Sequence, residues 1–158
     1  MLTLAVLFQI FMVTRTPSNL GMEALLAARA LHQGLLPYRD FAIHIGPVPV
    51  AIFYFLPSSV FIGALVYVGF NLTTAVGLYK ISKRTLPAIL FLIICPFFGG
   101  NEMFTESICA CFGVWAFYFA QIHERISMWV FLLLAVLTKQ TGIFYAIGLY
   151  RSILFLDS

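Results

Sequence analysis

PVPVAIFYFLPSSVFIGALVYVGFNLTTAVGLYKISKR, residues 47–84, holds no charged group before Lys80. Val, Ile, Leu, Phe and Ala fill it without two-residue alternation, so it does not read as strands of a barrel wall. The uncharged part exceeds what one span needs, and Pro57-Ser58-Ser59 divides it. Val48 to Leu56 is about half a bilayer in length and reads as a re-entrant or interfacial helix. Val60 to Tyr79 reads as a full span, closed by Lys80, Lys83 and Arg84.

The rest of the chain has the same character. Hydrophobic residues make up 62% and charged residues 9%, with a mean hydropathy of +1.01. A water-facing domain carries roughly 25% charged residues. Backbone polar groups in lipid need internal partners, which leaves helices once the barrel is excluded. The expected fold is all-α, a polytopic transmembrane helical bundle forming a single domain over residues 1–158. Spans are expected near 1–14, 60–79, 86–98, 107–122, 127–138 and 142–156. The apolar start has no basic residue before it and no small-x-small cleavage site, so it reads as a first span rather than a signal peptide. The expected location is integral and multi-pass, in a plasma or inner membrane or the endoplasmic reticulum.

The charges gather between the spans. Residues 14–47 form a first polar loop, with a helix from Asn19 to about Gln33, a stop at Gly34, and Pro37 just beyond. The dense KISKR turn is assigned to the cytoplasmic side. The acidic loop, the NEMFTE patch at 101–106 and Lys139 then share the external face. Four acids are candidates for catalysis: Glu23, Asp40, Glu102 and Glu106. A carboxylate can take a proton from an acceptor hydroxyl or amine. Arg29, Arg39, His44 and Lys139 are candidates for substrate binding, because cations hold a departing phosphate. Each has a plainer alternative. Glu23 can complement a helix dipole, Arg39-Asp40 can be a turn pair, Arg29 can snorkel, and Lys139 can mark a span end. His32, His123 and Arg125 read as interface solvation.

No basic run has a nucleic-acid footprint. Cys95, Cys109 and Cys111 show no metal-ligand or disulfide spacing. No metal site is assigned and no cofactor is required; the acids leave room for a divalent cation without a spacing that demands one.

The run from Glu23 through Gly34-Leu35-Leu36-Pro37-Tyr38-Arg39-Asp40 to Gly46-Pro47 resembles the first external loop of polytopic glycosyltransferases of the GT-C fold. The nearest groups are the protein-mannosyltransferase-like and aminoarabinose-transferase-like enzymes. Asn101-Glu102 to Glu106 resembles their second acidic loop, and Leu137-Thr138-Lys139-Gln140-Thr141-Gly142 is similar to their L-T-K-x-x-G turn. The resemblance implies sugar transfer from a polyprenyl-phosphate donor on the external or lumenal face. It implies a base or acceptor anchor at Glu23, a second acid at Glu102 or Glu106, and a lipid-phosphate contact at Lys139. Met22 stands where the family often has Asp. The resemblance covers an N-terminal module, so the chain is expected to be incomplete, with a missing C-terminal part or a larger membrane partner. The expected partners are the polyprenyl-phosphate sugar lipid and membrane lipids. The competing expectations are a transporter or flippase fragment recognising lipid-linked sugars, and a non-catalytic small membrane subunit.

Overall fold

A computed structural model describes residues 2–15, 23–37, 39–57, 59–98 and 105–156. Within them the chain is all-α. The helices are α1 (Leu2–Arg15), α2 (Glu23–His32), α3 (Pro47–Tyr54), α4 (Val60–Ser82), α5 (Thr85–Ile94), α6 (Thr105–Gln121), α7 (Arg125–Thr138) and α8 (Ile143–Leu156). Their limits follow from local chemistry. α2 ends in a Schellman turn: Gly34 takes φ +80, Gly34 N–H donates to Leu31 O, and Leu35 N–H donates to Ala30 O. α3 starts on Pro47, whose missing N–H would have no helical partner at that position. α4 closes with Lys83 in the left-handed region, its N–H donating to Tyr79 O.

The expected polytopic transmembrane bundle does not form. Among the described residues one helical stretch, Phe61–Ser82 of α4, is long and apolar enough to cross a membrane. α5 is apolar over 10 residues and α7 over 14, against the roughly 20 that a span needs. α1, α6 and α8 run 14, 17 and 14 residues. Apolar composition continues past the points where the backbone stops being α-helical. The run expected to span 86–98 leaves the α-helix at Ile94 and tightens into a 3-10 turn, Cys95–Phe98, with Pro96 inside it. α7 stops where Lys139 turns extended, at φ −158 and ψ 148. The multi-pass integral location read from the sequence is corrected with the fold.

α6 is the hub. It packs along α7 and α4 and reaches α8; α4 also carries α5, α1 lies on α5 and α4, and α2 sits on α3. One apolar cluster joins α2, the following loop, α3, α4 and α6 through Leu25, Ile43, Val50, Phe53, Tyr67 and Ile108. A second joins α1, α4 and α5 through Ala5, Ala75, Ala88 and Leu92. A third joins α6, α7 and α8 around Ala116, Leu132 and Leu149.

Several polar groups inside this body are paired, as a low-dielectric interior favours. Thr74 and Thr138 return their hydroxyls to the carbonyls of Phe70 and Leu134, at 2.8 and 2.7 Å. Gln9, fully buried on α1, donates Nε2–H to Leu92 O at 2.6 Å. Its Oε1 accepts from Asn71 Nδ2 of α4 at 3.4 Å. Cys95 Sγ lies 3.5 Å from Asn71 Oδ1. This chain of amides ties the three helices of the second cluster together.

Candidate functional site

α7 ends with carbonyls that no further helical turn can satisfy. The chain supplies a donor from far away: Gly46 N–H bonds Thr138 O at 2.9 Å. The two backbones touch so closely that a Cβ on Gly46 would overlap Leu137 O. The next residue, Lys139, directs its ammonium onto Glu106 Oε1 in the first turn of α6. Upstream, Glu23 at the start of α2 accepts the backbone N–H of His44 through Oε1 at 2.7 Å. A single line of contacts therefore runs from Glu23 through His44 and Gly46 to Thr138, Lys139 and Glu106.

The remaining candidates stand differently. Arg39 and Asp40 hold each other, with Nε–Oδ1 at 2.9 Å and Nη2–Oδ2 at 2.7 Å. Asp40 also accepts Leu36 N–H at 2.8 Å, which pins the loop back to the end of α2. Arg29 is half-buried in the last turn of α2. Glu102 lies outside the described residues. The His44 side chain is exposed, and its contribution to the line of contacts is its main-chain N–H. Among the described residues no three His, Cys, Asp or Glu side chains gather as an ion's ligands would.

The Arg39 guanidinium, and after it the Leu36 amide, hold the Asp40 carboxyl below its ordinary value of 3.8. A depressed folded value stabilises the turn above that pH, and the contribution disappears as pH falls through the depressed value. The Leu36 amide resonance should therefore hold steady from neutral pH down to about 4 and move only in stronger acid. In Asp40→Asn the step should vanish. A Leu36 amide that titrates near neutrality would refute the assignment.

Two features escaped the sequence reading. His32 is exposed, and its ring stacks on Tyr54 with centroids 4.3 Å apart and planes at 9°. Its Nε2–H donates to Tyr54 O at 2.9 Å, clasping α2 to the end of α3. Their separation in sequence hid the pair. Tyr67 is completely buried on α4, and its hydroxyl has no hydrogen-bond partner among the described residues. Nothing in an uncharged run marks one tyrosine out from the others. Beside the junction lies an open apolar groove of about 600 Å³, walled by Leu31, Ile43, Pro47, Val50 and Tyr54.

Lys80 Nζ lies 5.2 Å from the centre of the Tyr118 ring, near the far end of α6 from Glu106. The twelve steps from Glu106 to Tyr118 rise about 18 Å along the helix. The charged junction and the Lys80–Arg84 turn thus occupy opposite ends of an apolar body.

Fold and site together define an all-α helical bundle with a charged junction at one end. Set against family models, curated proteins and solved structures, the chain finds no match in any of the three comparisons. The resemblance to GT-C glycosyltransferases is corrected on that finding, and with it the sugar transfer from a polyprenyl-phosphate donor. The transporter and membrane-subunit alternatives relied on the same multi-span body and are corrected with it.

Proposed function

We propose that this chain is a lipid-contacting helical binding module, with the junction of Glu23, Glu106 and Lys139 as its polar recognition end. The observation that supports this reading is the outer face of the bundle. Ile126 is 81% exposed, Leu4 and Phe144 are each 68% exposed, and Trp129 is 60% exposed. Phe61 and Leu86 also turn outward, so α1, α4, α5, α7 and α8 all present large apolar side chains to their surroundings. Single exposed apolar residues are ordinary, but contiguous apolar faces on a monomer mark contact with a membrane or another protein. A lipid surface offers such faces apolar area to bury against.

Mixed with phospholipid vesicles, the chain should float with them through a density gradient and stay bound at high salt. Salt resistance follows because burial of apolar area is not screened, whereas surface charge attraction is. Recovery as a monodisperse species in detergent-free buffer, without vesicle binding, would overturn the proposal.

A further inference from the structure

We infer that the α1/α4/α5 face carries a binding site for an anionic phospholipid, with its phosphate at Lys83 and Arg84 and one acyl chain in the adjoining groove. The groove is about 380 Å³ and almost wholly apolar, between Val6 of α1, Leu72 and Val76 of α4, and Ala88, Ile89 and Leu92 of α5. Its lining reaches Tyr79 in the last turn of α4 and Thr85, the first residue of α5. From Leu72 to Tyr79 the wall rises about 10 Å, the reach of a short stretch of alkyl chain.

The charge beside that groove selects the ligand. Lys80, Lys83 and Arg84 fall within five successive residues that contain no acid. Lys83 and Arg84 are exposed. Among the described residues neither side chain has an ion-pair partner, unlike Arg39, which pairs with Asp40, and Lys139, which pairs with Glu106. Lys80 is turned away over the Tyr118 ring. The backbone fixes the two free cations in the turn just before the groove residue Thr85: Lys83 adopts φ +56 as the helix cap and Arg84 N–H returns to Ser82 Oγ at 3.2 Å. An apolar slot beside two unpaired cations complements an acyl chain that ends at a phosphate.

The inference concerns a different end of the molecule from the proposed recognition junction, and it can be read in neutral detergent, where bulk membrane association plays no part. The purified full chain is titrated with phosphatidylglycerol, phosphatidylcholine and glycerol 3-phosphate, and bound lipid is counted by native mass spectrometry. Phosphatidylglycerol should bind in preference to phosphatidylcholine. Changing Lys83→Gln and Arg84→Gln together should weaken phosphatidylglycerol about thirtyfold, at about fivefold per cation, and leave phosphatidylcholine unchanged. Val76→Trp, at an exposed groove position, should reduce binding of both lipids by blocking the chain. These variants alter exposed side chains, and an unchanged helical circular dichroism spectrum confirms that they fold. Equal binding of the two lipids, competition by glycerol 3-phosphate at the affinity of the whole lipid, or no effect of Val76→Trp would each overturn the site.

Discussion

Gly46→Ala should lower the stability of the chain by about 3 kcal/mol or more, at the upper end of what overpacking costs. The reason is not conformational freedom. Gly46 sits at φ −73 and ψ 173, where any residue is comfortable. It is glycine because a Cβ would overlap the Leu137 carbonyl, and its own N–H must reach Thr138 O at 2.9 Å. The obstacle is main chain in the last turn of α7, so no rotamer change relieves it. Moving the loop breaks the bond to Thr138, leaving a helix-end carbonyl without its donor. The same movement pulls His44 from Glu23. For a chain of this size the loss corresponds to a fall of about 6–12 °C in the unfolding midpoint. Circular dichroism of the chain in mild detergent reads it. Gly69→Ala is the control: on α4 nothing lies within 4 Å of the added Cβ, and alanine's helix preference should raise stability by about 1 kcal/mol. If Gly46→Ala melts with the native chain, the loop and α7 do not meet as described.

That contact shows where sequence reading runs out. Gly34 is legible as a helix stop, because a glycine after an Ala-rich helix and before a proline has a local meaning. Gly46 has none, since its reason is α7, some ninety residues on, and only packing brings α7 to it. Helical class is legible from apolar runs without alternation. Helix length is not: Ile94 and Phe98 are equally apolar, yet one ends an α-helix and the other a 3-10 turn. A count of spans drawn from hydropathy fails for that reason. The charged residues divide in the same way. Arg39 and Asp40 are neighbours, and a turn pair can be read from the text. Lys139 on Glu106 joins the end of α7 to the start of α6, which requires knowing that the two helices pack along each other.

The second large effect is expected in the amide chain between α1, α4 and α5. Gln9→Leu keeps roughly the volume of the side chain but removes the donor to Leu92 O and the acceptor for Asn71 Nδ2. Both partners are buried among apolar side chains, where a lost bond costs about 1–3 kcal/mol because water cannot replace it. Asn71→Leu should cost a similar amount, through Gln9 and the Cys95 thiol. The two losses should not add. In the double variant neither amide is left seeking the other, and matched apolar groups can replace a buried polar pair at little cost. The coupling should therefore be about 1 kcal/mol or more, favouring the double variant over the sum of the singles. A double-mutant cycle of detergent unfolding measures it. Strict additivity would mean that Gln9 and Asn71 act separately, and that α1 is held on α4 and α5 by the Ala5, Ala75 and Leu92 packing alone.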